Sequence, residues 1–115
     1  MSWEFFSEVS EDMNAAFMDK LIALRREYGK PMVITSDLRT YDEEIKAGRS
    51  GNSAHVTGRA VDVAVRGSDA LELVTLAVKH GMTGIGVSQK GSARFIHIDD
   101  LDGEPNQPRP WVWSY

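Results

Sequence analysis

Arg59-Ala60-Val61-Asp62-Val63-Ala64-Val65 and Arg94-Phe95-Ile96-His97-Ile98-Asp99 decide the fold of this chain. In each stretch side chains alternate with period two, the pattern of a strand buried on one face. Val61, Val63 and Val65 point one way, and Ala60, Asp62 and Ala64 the other. In the second stretch Ile96 and Ile98 oppose Phe95, His97 and Asp99. Two strands with apolar backs and polar fronts call for a sheet whose apolar face is covered by helices.

Working outward, Ser10 followed by Glu11 and Asp12 predicts a helix N-cap with acids in the first turn. Met13, Ala16, Phe17, Leu21, Leu24 and Tyr28 then recur at helical spacing, and Gly29 and Pro31 end the helix. Met32-Val33-Ile34-Thr35 predicts a short buried strand, and Thr40 to Ala47 a brief acidic helix stopped by Gly48. Arg49-Ser50-Gly51-Asn52-Ser53 reads as a polar loop leading to a loop histidine, His55. Ser68-Asp69 predicts the cap of another helix carrying Leu71, Val74, Ala77 and Val78, closed by His80-Gly81. Further strands are expected near Thr83–Val87 and Arg94–Asp99, with the turn Ser88-Gln89-Lys90-Gly91 between them. Gly103–Pro110 is irregular, and Trp111-Val112-Trp113 alternates like an edge strand. Helices interleaved with short strands, without long parallel crossovers, give an α+β fold with a mainly antiparallel sheet flanked by helices.

A chain of 115 residues makes one domain, 1–115, with a modest core. Its formal net charge of −4, with no basic cluster beyond Arg25-Arg26, argues against nucleic acid as a partner. No apolar run approaches the ~20 residues that span a bilayer, so no membrane role is expected. The start, Met1-Ser2-Trp3-Glu4, lacks a basic n-region and does not read as a signal peptide. There is no cysteine, so any metal site must use histidine and carboxylate.

His55, Asp62 and His97 are a sensible set of three ligands for a zinc ion that keeps a fourth position open. Asp62 lies between two alanines, which leaves room above it for an ion. Each residue also has a plainer reading: His55 as an ordinary loop histidine, Asp62 as an acceptor of backbone N–H groups, His97 as a satisfied strand histidine. His80, at a helix C-terminus, reads as a partner of the helix dipole.

Ser53-x-His55-x-x-Gly58-x-Ala60-x-Asp62 with a later His97 in an apolar strand resembles the M15 zinc peptidases. These include D-Ala-D-Ala carboxypeptidases, L-Ala-D-Glu endopeptidases and many phage endolysins. Arg25 to Ile34 followed by Ser36-Asp37-Leu38-Arg39 is similar to that family's helix, strand and arginine-bearing turn, and Arg109-Pro110-Trp111 to its phage members. The resemblance runs from about Ser10 to the C-terminus and implies the small α+β fold of hedgehog and DD-peptidase domains. It implies that His55, Asp62 and His97 hold Zn2+, that Arg39 binds a substrate carboxylate or carbonyl, and that Ser53 helps the substrate pose. Without it, Arg39 also has a plainer reading, a surface salt bridge with Asp37, Asp42 or Glu43.

One departure stands out. Many members carry a Glu or Asp general base three residues before the last histidine ligand, where this chain has Arg94, which cannot accept a proton. Asp99, two residues along the strand and ~6–7 Å from His97 at the Cα level, can replace it as base, or can orient a histidine by accepting its free N–H. Asp100 is a weaker candidate, and Asp37 and Glu44 could reach in from the loop side. The expected function is therefore a monomeric, zinc-dependent, endolysin-like peptidase cutting peptidoglycan stem peptides or crosslinks. Made in the cytoplasm, it would reach the wall by holin-type release. The competing expectations are a catalytically weak or inactive zinc-binding module that recognises cell-wall peptides, and a metal-free structural domain.

Overall fold

A computed structural model describes residues 2–48 and 53–115. Of the expected polar loop Arg49–Ser53, only Ser53 lies within the described residues. The elements run α1 (Ala15–Tyr28), β1 (Val33–Ser36), α2 (Tyr41–Lys46), a 3-10 turn (Ala54–Thr57), β2 (Ala60–Ala64), α3 (Gly67–Lys79), β3 (Gly84–Ser88), β4 (Phe95–Asp99) and β5 (Trp111–Ser114). The strands form one open sheet in the order β1-β2-β4-β3-β5. Every neighbouring pair is antiparallel except β3 and β5. The α+β architecture expected from the alternating stretches is the one observed. No helix among the described residues is long and apolar enough to cross a membrane.

The core lies between one face of the sheet and the helices α1 and α3. Val61, Val63, Ile85, Ile96 and Ile98 supply the sheet side; Phe17, Met18, Leu21, Leu24, Ala70, Leu73 and Ala77 supply the helices. The period-two reading placed both strand faces correctly. The parallel pairing of β5 follows from the chain's path: residues 100–110 leave β4 beside the start of β3, round that end of the strand, and enter β5 on its other side. Thr83 Oγ1 donates to the Leu101 carbonyl (2.6 Å) and Trp111 N–H to the Thr83 carbonyl (2.9 Å), which fixes the crossing.

Four sequence expectations are corrected. The first helix begins at Ala15 rather than after Ser10: Asn14 is the N-cap, its side chain accepting from the Phe17 N–H, and Ala16 is exposed. Ser10 instead receives the Asp12 N–H within the preceding turn. Strand β1 is an edge strand rather than a buried one, with Val33 59 % exposed. Helix α3 starts from Arg66 and Gly67 without a side-chain cap, not from Ser68-Asp69. Its buried face is Ala70, Leu73 and Ala77, while Leu71 and Val78 face solvent.

Candidate metal centre

Opposite the core face, the sheet carries a transverse row of residues in register: Ser36, Asp62, His97, Gly86 and Trp113. Direct cross-strand neighbours stand with Cβ atoms ~5 Å apart, so the pairing of β2 with β4 alone brings Asp62 against His97. His55 joins them from the 3-10 turn rather than from an open loop, and it is buried. Asp62 Oδ1 lies 3.2 Å from His55 Nε2 and 3.1 Å from His97 Nδ1. The two imidazoles are nearly perpendicular, with centroids 5.2 Å apart.

Each histidine is held by its far side. His55 Nδ1 lies 2.8 Å from the Asp37 carbonyl, which can only accept, so this nitrogen carries a proton and, in the neutral ring, Nε2 presents its lone pair. The His55 N–H donates to Ser53 Oγ (3.2 Å), and the His55 carbonyl accepts from the Arg39 N–H (3.1 Å). Gly58 closes the turn at φ 72°. Its carbonyl accepts from the Asn14 N–H, and a Cβ there would lie 3.2 Å from that nitrogen, so the backbones of the turn and of α1 meet closely. His97 Nε2 donates to Asp99 Oδ2 at 2.7 Å, so in the neutral ring Nδ1 turns its lone pair toward Asp62.

The electrostatics follow from burial and hydrogen bonding. Burial raises the Asp62 carboxyl, but the His55 and His97 imidazoles, which donate to it in their charged forms, outweigh burial and hold the group far below the usual carboxylate range. Burial lowers His97, while Asp62 and Asp99 more than reverse that and raise it. For Asp99, burial is likewise overcome, by Arg109 first and His97 second, and its carboxyl is held at about 2.

One ligand atom from each of His55, Asp62 and His97 lies within 4.8 Å of the other two. Two imidazole nitrogens with fixed tautomers and one anionic oxygen form a donor set that fits a divalent cation of zinc's kind. Arg39 Nη2 lies 3.9 Å from the other oxygen of Asp62, Oδ2. A cleft of about 290 Å³ opens over the three, lined also by Arg39, Ser53, Phe95 and Tyr115.

Arg39 and Ser53 both line this cleft. Among the described residues Arg39 pairs with the buried Glu44 (3.4 Å) and, more loosely, with Asp62 (3.9 Å) rather than with Asp37, Asp42 or Glu43, and its Nη2 also donates to Ser36 Oγ (2.7 Å). Asp99 sits beside His97, as its strand position implied. Asp100 and Asp37 do not enter the site. Asp100 is buried between Arg59 and Lys20, and Asp37 Oδ2 receives the Ser10 N–H. Arg94 turns to the Gly91 carbonyl (3.0 Å). The sequence reading missed Phe95, Trp113, Tyr115 and Arg109. Period two already placed Phe95 on the His97 face, whereas the other three depend on where β5 docks. Trp113 stands 5.1 Å from the His97 ring, and Tyr115 packs on Phe95.

No curated protein matches the chain. The Peptidase M15 family model matches residues 5–99, a span that holds Arg39, Ser53, His55, Asp62, His97 and Asp99. With most of its length matched, and with a cluster of metal-ligating side chains at the mouth of a cleft, the chain belongs to the Peptidase M15 family of metallopeptidases.

Proposed function

We propose that this protein is a zinc peptidase that hydrolyses an amide bond in peptidoglycan stem peptides or their crosslinks, with His55, Asp62 and His97 as the zinc ligands. The observation that carries the reading is the convergence of His55 Nε2, Asp62 Oδ1 and His97 Nδ1, each imidazole fixed through its other nitrogen. When bound, zinc supplies Lewis acidity, polarising a peptide carbonyl and making water acidic enough to attack near neutral pH. Arg39, steadied by Ser36 and Glu44 at the cleft wall, grips a stem-peptide carboxylate or carbonyl. Ser53 offers a hydroxyl to the same peptide, and Phe95 and Tyr115 give its alanine methyl groups an apolar wall. Asp99 orients His97 and does not act as the base. Both its oxygens are engaged, it is fully buried, and a carboxyl held at about 2 takes up no proton near neutrality.

A second reading has one observation in its favour. Among the described residues lining the cleft, Asp62 is the only carboxylate, and Arg94 occupies the position of the usual base. A zinc-holding module that recognises wall peptides without cutting them fits that lining. Mass spectrometry of the soluble products from purified peptidoglycan treated with zinc-loaded protein separates the two. Stem-peptide fragments that vanish in His97→Ala and with chelator establish the hydrolase and identify the bond. Sedimentation with intact peptidoglycan and no fragments supports the module, and neither result sinks both.

A further inference from the structure

We propose that Arg109 is a positioning residue of the metal site, fixing the His97 imidazole through Asp99. Arg109 lies beyond the residues that match the family, in the connection that leads into β5. Its guanidinium is almost fully buried and grips Asp99 with two parallel bonds, Nε to Oδ1 at 2.9 Å and Nη2 to Oδ2 at 2.7 Å. The Leu101 N–H adds a third bond to Oδ1 at 3.3 Å. A carboxylate so clamped has one orientation, and in it Oδ2 meets His97 Nε2 at 2.7 Å. The free Nδ1 of His97 is thereby turned on Asp62.

Two glycines of β3 make room for this arrangement. A Cβ at Gly84 would stand 2.3 Å from Asp99 Oδ1 and 2.4 Å from Arg109 Nε. A Cβ at Gly86 would stand 2.7 Å from Trp113 Nε1. A side chain at either glycine would displace the clamp or the indole beside His97. The guanidinium also stacks on Trp113 at 4.9 Å, and that ring lies 5.1 Å from His97. Arg109 thus reaches the histidine by two routes, a hydrogen-bond relay and an aromatic contact. A clamp that served only to pin the 100–110 connection would not need the imidazole at its other end.

The inference rests on His97 being a metal ligand, so the experiment reads metal binding rather than turnover. Zn2+ affinity is measured on the whole metal-stripped chain by competition with a chromophoric chelator, together with a thermal melt. The chains compared are the parent, His97→Ala, Arg109→Met and Arg109→Lys. Partners that orient a ligating histidine are typically worth ~10–100-fold in affinity. Arg109→Met should bind zinc at least ~10-fold more weakly. Arg109→Lys should fall between it and the parent, because lysine keeps the charge but cannot form the two-pronged grip. A purely structural role would lower the melting temperature and leave zinc affinity within about twofold of the parent, which overturns the inference. Should Arg109→Met fail to fold, the charge-retaining Arg109→Lys decides on the same criterion. Equal affinity in His97→Ala and the parent sinks the ligand reading and this inference with it, whereas a loss in His97→Ala alone sinks only the inference.

Discussion

Asp99 is 0 % exposed and is held between the Arg109 guanidinium and the His97 imidazole. A buried carboxylate with one bond missing would cost several kcal/mol, so its full set of partners is what makes the position tolerable. Because the folded chain holds this carboxyl at about 2, against 3.8 for the free group, the unfolded chain takes up the proton first. The resulting stabilisation, about 2 kcal/mol, is complete above pH ~4 and is lost as pH falls toward 2. Denaturant titrations of the metal-free protein across that window should show the fall, and Asp99→Asn should flatten it; an unchanged pH slope in the variant would contradict the assignment. Strand alternation was enough to put Asp99 on the His97 face. Its partner was not legible, since Arg109 follows an irregular stretch whose path no local pattern dictates.

Helix α3 shows why an element can be foreseen while its orientation cannot. Ala70, Leu73 and Ala77 form one stripe at helical spacing, and Leu71, Val74 and Val78 form another beside it. Both are apolar enough to face a core, and the docking of the helix on the sheet chose the first. Leu73→Ala should therefore cost about 2–5 kcal/mol, while Leu71→Ala, at a site 71 % exposed, should stay within about 0.5 kcal/mol. Chemical denaturation of the two variants checks this, and equal costs would mean that the helix is rotated. The start of α1 poses the same problem in another form. Ser10 and Asn14 can both cap a helix, and the bond from the Asn14 N–H to the Gly58 carbonyl, a partner distant in sequence, accompanies the choice of Asn14.

At the level of the whole molecule, metal binding and folding are linked, because the three ligands meet only when β2, β4 and the 3-10 turn are assembled. Zinc at about 100 times its dissociation constant should add about 2.7 kcal/mol, a rise of roughly 10 °C in melting temperature for a chain of this size. Calorimetry of the metal-stripped parent should show that rise, reversed by chelator and missing in His97→Ala; no shift at saturating zinc would remove the metal centre. The sequence by itself determined the strands, their polar and apolar faces and the three candidate ligands, since alternation and capping act over a few residues and are written locally. The tertiary structure alone decided the edge position of β1, the buried stripe of α3, the pairing of Arg39 with Glu44 and the arrival of Trp113, Tyr115 and Arg109 at the site. Those outcomes turn on which surfaces dock, and docking is a competition among apolar faces of similar strength that the whole chain settles together.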